Sequence, residues 1–364
     1  MKPYVLVDFP VHEELLSEYF SRNNIDFDFV AHIPDVPLID SVHQQMEGKE
    51  NVILIISPLL LKILFETKSN YHNFTAMVSD RIKVILYDGY DTLHWMTDLY
   101  SKESSEFISW INELKPSVLT DGIAGKLLER NFNGCDFVKL HDPFLHHTCS
   151  FPELIFLKKH DPNKDFLCLM SKYDVGRSHR DILNEKMMTK GLMDHTVYKF
   201  KPRTLDYLND LKESYSEKAI KGNDRYPGLP PVHFYNQTNL EIVAETFGGY
   251  DNDDTFFVTE KTTKPIAMKH PFMVLSNCNF LKNLRDLGFR TFGDHLDESY
   301  DTEQDLMKRV EIITDNLMML KGSSMKLYNG TKEIRDHNHL NLQYQQGIYK
   351  TKLWNRMDEF WKNI

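Results

Sequence analysis

Short apolar runs recur along this chain at about the interval of one strand plus one helix, and that spacing constrains the fold more than any single residue. Tyr4–Asp8, Phe27–Ala31, Asn51–Ser57, Ile82–Tyr87, Ser117–Leu119 and Phe137–Leu140 read as buried strands. Between them, Glu13–Arg22 and Ser105–Leu114 carry helical spacing. A strand that is apolar throughout, with no polar alternation, belongs to a parallel sheet covered on both faces. The first part of the chain is therefore expected to be an α/β domain, over residues 1–160.

A second series follows the linker-like His160-Asp161-Pro162-Asn163-Lys164. Its expected strands are Phe166–Met170, Thr196–Phe200, Leu240–Ala244 and Pro271–Leu275. Its expected helices are His179–Thr189, Thr262–Lys269, Asn279–Leu287 and the longer Thr302–Lys321, and the Pro- and Gly-rich Asn223–Pro231 reads as a loop. Residues 161–325 form this second domain. Residues 326–364 are expected to be helical and to pack back on the first domain through Trp354, Met357, Phe360 and Trp361. Two α/β domains in tandem offer a ligand site at the carboxyl ends of their strands.

Charge narrows the partners. The net charge is −10, and residues 1–160 hold 14 Lys/Arg against 23 Asp/Glu, so the acid excess lies almost wholly there. That weighs against a broad phosphate-binding face on the first domain. Cys135, Cys149, Cys168 and Cys278 have no metal-ligand or CxxC spacing and read as reduced thiols of a cytoplasmic protein. The longest apolar stretch, Val52–Phe65, is interrupted by Ser57-Pro58 and Lys62, so membrane insertion is not expected. No G-x-G-x-x-G or Walker A run is present, which counts against a dehydrogenase or an NTPase.

Two segments suggest chemistry. Ser171-Lys172-Tyr173-Asp174-Val175-Gly176-Arg177-Ser178-His179-Arg180 follows an apolar strand and opens a helix, with Ser178 as a cap. Backbone N–H groups there, with Arg177 and Arg180, suit a diphosphate. In Phe257-Val258-Thr259-Glu260-Lys261-Thr262-Thr263-Lys264-Pro265-Ile266, Pro265 fits a first helical turn. Thr262 or Thr263 is then the expected cap, with Thr259, Glu260 and Lys261 on the approach loop. Lys261 would hold phosphate oxygens, and Glu260 would face a developing positive charge or a sugar hydroxyl.

Thr259-Glu260-Lys261, Lys264-Pro265-Ile266, His270-Pro271-Phe272 and Leu281-Lys282-x-Leu-Arg285-x-Leu-Gly288-Phe289 follow one another in an ordered series, continued by Thr291-Phe292 and Asp297-Glu298-Ser299-Tyr300-Asp301. Over roughly residues 165–320 this series resembles the donor half of the fucosyltransferase-like glycosyltransferases, the α1,3-fucosyltransferase superfamily, and is closest to its bacteriophage-type members. The resemblance implies a GT-B fold, two Rossmann-like domains facing a central cleft, and an inverting transfer from a nucleoside diphosphate sugar without a metal or other cofactor. It implies that Lys261 contacts the diphosphate with Arg177 or Arg180, that Glu260 lies near the anomeric carbon, and that the acidic strand-end residue Glu245 and Thr259 both belong to the donor site. Ala244-Glu245-Thr246-Phe247 stands where fucosyltransferases carry aromatic-Glu-Asn-Ser, so the donor sugar is left open.

An inverting displacement needs a base for the acceptor hydroxyl. Asp88 and Asp91, after a strongly apolar strand, are the first choice; Asp121 and the cluster His141-Asp142 to His146-His147 occupy similar places. Asp251-Asn252-Asp253 has the DxD pattern of metal-dependent transferases but reads as a turn. The expected acceptor is a saccharide. The alternative is a hydroxymethylated base in DNA, for which Lys126, Arg130, Lys350, Lys352 and Arg356 are the basic positions at hand. A non-catalytic sugar-nucleotide or glycan-binding module would have no need of Glu260, Lys261 and the arginines together.

Overall fold

The structure is a computed structural model of the full chain. It describes residues 2–6, 10–29, 52–56, 82–88, 102–114, 117–120, 136–139, 152–170, 178–200, 212–216, 229–246 and 258–362, with isolated positions at 42, 44, 45, 248 and 256. The chain divides into two compact units, Met1–Asp142 with Lys350–Ile364, and Pro143–Tyr349.

The first unit holds β1 (Lys2–Leu6), α1 (Pro10–Arg22), β2 (Asp28–Phe29), β3 (Val52–Ile56), β4 (Ile82–Asp88), α2 (Lys102–Leu114), β5 (Ser117–Thr120) and β6 (Asp136–Lys139). Its six strands run in the order β2-β1-β3-β4-β5-β6, every pair parallel. Ile53, Leu54, Ile55 and Ile56 of β3 are buried without exception, which is why this strand reads as one apolar run.

The second unit holds β7 (Phe166–Met170), α3 (Ser178–Thr189), β8 (Thr196–Phe200), α4 (Val232–Gln237), β9 (Leu240–Ala244), α5 (Glu260–Ala267), β10 (Phe272–Leu275), α6 (Phe280–Asp286), α7 (Leu306–Leu320) and α8 (Ser324–Gly330). The strand order is β10-β9-β7-β8, again all parallel. Both sheets place their second strand outside their first and their third on the other side. The strand order therefore reverses between first and third strands, β1 and β3 in one unit, β7 and β9 in the other. The α/β class and all ten strands expected from the sequence are present.

A 31-residue helix, α9 (Lys332–Lys362), belongs to the second unit up to Tyr349 and to the first from Lys350. In the first unit its end lies on α1. The Tyr19 hydroxyl donates to Asp358 at 2.8 Å, Phe20 meets Trp361 at 5.7 Å between ring centroids, and the Arg22 guanidinium lies 4.4 Å over Trp354. Met357 and Phe360 are buried. Among the described residues no helix is long and apolar enough to cross a membrane.

Helix starts in the second unit are fixed by carboxylates. Asp305 accepts from the Met307 N–H at 2.8 Å and begins α7 later than the expected Thr302. Asp301 caps α6 from outside that helix, accepting from the Leu281 and Lys282 N–H groups at 2.7 and 3.0 Å. Glu298 accepts from the Phe292 N–H at 2.6 Å and the Thr291 hydroxyl at 2.8 Å. The Asp297–Asp301 stretch of the ordered series thus has a packing role in this unit.

At the amino ends of β7, β8 and β9 lies a cavity of about 320 Å³, lined by Asp165, Asp194, His195, Asn239, Gly322 and Ser324 among others. Asp165 is its tie. It accepts from the Gly322 N–H at 2.8 Å, meets His195 Nδ1 at 2.7 Å, and receives the Ser324 hydroxyl. Burial alone would raise the carboxyl, but these partners outweigh it and hold its pKa below the ordinary value. A depressed carboxylate adds stability that is present above its unfolded pKa and is lost as pH falls through the folded one. Asp165→Asn should therefore cost about 1–3 kcal/mol at pH 7, and the gap to wild type should narrow as pH drops from about 5 toward 2. Urea unfolding across that range is the check; a gap that stays constant with pH would refute the titration account.

Candidate functional site

In open parallel sheets, ligands bind beyond the carboxyl ends of the strands where the strand order reverses. In the second unit that place is the end of β7 and β9, and Thr259, Glu260, Lys261, Glu245 and Arg180 converge there. The cavity beside Asp165 is at the opposite end of the same strands and is set aside on that ground.

The residue after β9 is Glu245. Its carboxylate is fully buried and accepts from the Thr246 N–H at 3.2 Å, the Thr259 N–H at 3.1 Å, and the Thr259 and Thr262 hydroxyls at 2.6 Å each. From the start of α3, the Arg180 guanidinium donates to the carbonyl oxygens of Ala244 and Glu245 at 3.2 and 3.0 Å. His179 Nε2 lies 2.9 Å from the Glu245 carbonyl, which can only accept, so that nitrogen carries the proton. A Cβ on Gly248 would come within 2.7 Å of the His179 ring, so the absence of a side chain there permits the close approach. At the end of the neighbouring strand β10, Arg309 donates to the Ser276 carbonyl at 2.6 Å.

Helix α5 starts one turn earlier than the sequence suggested. Its cap is Thr259, extended at φ −118° and ψ −179°, whose hydroxyl accepts from the Lys261 N–H at 3.3 Å. Thr262, an expected cap, gives its hydroxyl proton to Glu245 instead, and Thr263 is also inside the helix. Glu260 and Lys261 accordingly sit in the first turn and not on an approach loop, and Pro265 falls beyond that turn. A carboxylate in the first turn is favoured by the helix dipole. Ser178 is likewise the first residue of α3.

The Lys261 ammonium donates to the Thr259 hydroxyl at 2.9 Å and the Thr246 hydroxyl at 3.2 Å, and stands 3.5 Å from Glu260 Oε1. The side chains of Lys261 and Glu260 keep 22% and 24% of their surface, whereas those of Glu245, Arg180, Thr259 and Thr262 are buried. An ammonium and a carboxylate side by side are thus the ionic groups of this cluster that solvent reaches.

Below the first turn, Lys264 is buried, and burial lowers its pKa against the pull of Glu260, Glu241 and Glu245. Burial pushes Glu241 up to about 8, although the Tyr235 hydroxyl donates to it at 2.8 Å. The other end of α5 is held as firmly. Lys158 donates to the Met268 carbonyl at 2.7 Å, Arg335 to that of Lys269 at 2.7 Å, and His339 Nδ1 to that of Ala267 at 2.9 Å. Hydrogen-bond donors at a helix carboxyl end satisfy carbonyls that have no partner within the helix.

The sequence-selected residues divide three ways. Thr259, Glu260, Lys261, Glu245 and Arg180 are brought to one strand end. Among them Arg180, matched together with Arg177 to a diphosphate in the sequence, has no exposed surface and donates to two backbone carbonyls. Arg177, Asp91, Asp121, Lys126, Arg130, His141, Asp142, His146, His147 and Asp251-Asn252-Asp253 lie outside the described residues. Asp88 is the last residue of β4, in register with Thr120 at the carboxyl edge of the other sheet. Arg356 pairs with Glu359 at 3.2 Å on the exposed side of α9. Sequence reasoning missed His179, Thr246 and Arg309; only the spacing of His179 from the start of α3 could have marked it.

No protein-family model matches the chain, and no curated protein does. Among solved structures the chain is similar to one titled "Crystal structure of GtfA/B complex", at 8% identity and a TM-score of 0.37, over 89% of this chain and 63% of that one. This chain spans less than two thirds of that chain's length, and a likeness at this level carries no functional argument.

Proposed function

We propose that the chain is a metal-independent glycosyltransferase of GT-B type, with its donor, a nucleoside diphosphate sugar, at the carboxyl ends of β7 and β9. The observation that carries the reading is the solvent-accessible Glu260–Lys261 pair in the first turn of α5, at the strand end where an α/β sheet takes its ligand. The order of the motifs from Thr259 to Asp301, which resembles the fucosyltransferase-like family, supports it independently.

The acceptor hydroxyl oxygen attacks the anomeric carbon as the bond from that carbon to the diphosphate oxygen breaks. The electron pair leaves with the diphosphate, whose charge Lys261 and Arg177 meet. The carboxylate of Glu260 faces the positive charge on the sugar ring. The hydroxyl proton passes to a carboxylate of the first unit, Asp88 or Asp91. The acceptor is a saccharide.

Incubation with a panel of nucleotide sugars should release nucleoside diphosphate slowly, with or without EDTA. Absence of both release and calorimetric binding for every nucleotide would end the proposal. Turnover lost to chelator and restored by Mn²⁺ would instead assign a metal to Asp251-Asn252-Asp253. Transfer onto DNA containing hydroxymethylcytosine, falling steeply between about 50 and 200 mM salt, would replace the saccharide as acceptor.

A further inference from the structure

Both oxygens of the buried Glu245 carboxylate are saturated, and the way they are saturated bears on Lys261. A threonine hydroxyl has one proton to give and lone pairs to receive. The Thr259 proton goes to Glu245 Oε2 at 2.6 Å, which leaves only lone pairs to turn toward Lys261. Those lone pairs accept from the Lys261 backbone N–H at 3.3 Å and from its ammonium at 2.9 Å. The Thr246 hydroxyl accepts a further ammonium proton at 3.2 Å, and its own N–H binds the same carboxylate at 3.2 Å. The ammonium ends 3.9 Å from Glu245 Oε2, inside a cradle of acceptors that the carboxylate has oriented.

We infer that Glu245 is a positioning residue: through the Thr259 hydroxyl and the Thr246 backbone N–H it holds the Lys261 side chain charged and fixed at the end of β9. Glu245 itself touches no ligand, since it has neither exposed surface nor an oxygen without a donor. The inference rests on the donor-site reading only for what Lys261 then binds; the charge and place of Lys261 belong to the unliganded protein. An isosteric amide makes the logic testable. In Glu245→Gln the negative charge 3.9 Å from the ammonium is lost, and an amide nitrogen in the place of Oε2 must donate to the Thr259 hydroxyl, which reverses it and frees its proton to turn toward the ammonium.

The measurement is the pH dependence of Lys261 methylation by formaldehyde and cyanoborohydride, read by mass spectrometry in the full chain, with exposed Lys308 as internal reference. Glu245→Gln and Thr259→Val should each move the Lys261 titration down by about one pH unit relative to Lys308, and Thr259→Ser should leave it where it is in wild type. Should Glu245→Gln not fold, the Thr259→Val and Thr259→Ser pair decides alone. A merely structural Glu245 would lower thermal stability without moving Lys261, and identical Lys261 profiles in wild type and folded variants would overturn the inference. Nucleotide takes no part in this readout. A Lys261 shift in a protein that binds no nucleotide would sink the donor reading alone, and an unshifted Lys261 in one that binds nucleotide would sink this inference alone.

Discussion

Replacing Arg180 with alanine is expected to lower the free energy of unfolding by about 3–5 kcal/mol, with little direct effect on ligand contacts. The guanidinium is fully buried and donates to two consecutive carbonyls at the end of β9. Alanine removes these charge-assisted bonds, leaves the Ala244 oxygen short of this donor, and opens a cavity where one of the largest fully buried side chains stood. Relief from burying a charge offsets part of that loss but not most of it, because the carbonyls stay buried. Urea unfolding at pH 7 gives the number. A drop below about 1 kcal/mol, accompanied by lost nucleotide affinity, would return Arg180 to the diphosphate contact expected from the sequence.

Glu260→Gln and Lys261→Ala should separate turnover from binding. The amide keeps the shape of Glu260 and removes its charge, so turnover should fall about 100-fold while donor affinity changes by less than about threefold. Such a split marks a group that acts in the transition state. Lys261→Ala should weaken nucleoside diphosphate binding at least about tenfold, or 1.4 kcal/mol, through loss of a charge-assisted phosphate contact. Steady-state kinetics and calorimetry on both variants decide the matter. Equal losses in kcat and affinity for Glu260→Gln would reduce it to a binding residue, and unchanged affinity in a folded Lys261→Ala protein would remove the lysine from the site.

The strands were legible because fully buried parallel strands are written as continuous apolar runs: Val52–Ile56 and Phe272–Leu275 have little else to be. A helix as short as Val232–Gln237 spans too few turns for a period to emerge, and it escaped the reading. At the site, Glu260 and Lys261 were visible as types and neighbours, but their setting was not. On paper Pro265 favours Thr262 or Thr263 as the cap. Glu245, 14 residues before Thr259, receives the hydroxyl protons of both Thr259 and Thr262, and Thr259, with its lone pairs on the Lys261 N–H, stands at the helix start. Arg180 looked like a surface cation because most arginines are; its burial depends on carbonyls at the end of a strand 64 residues away.

The long helix α9 gives the two units unequal histories. Residues 143–349 are contiguous, so on the ribosome the second unit is complete in sequence while α9 is still being made. The first unit, although its β1 and α1 emerge first, must wait for Lys350–Ile364 before Tyr19, Phe20 and Arg22 meet Asp358, Trp361 and Trp354. Of the two units, the one that begins first is thus the later to be finished. Until then the face of α1 that these aromatic residues cover is bare, and a nascent chain stalled before residue 350 presents that face to chaperones and proteases.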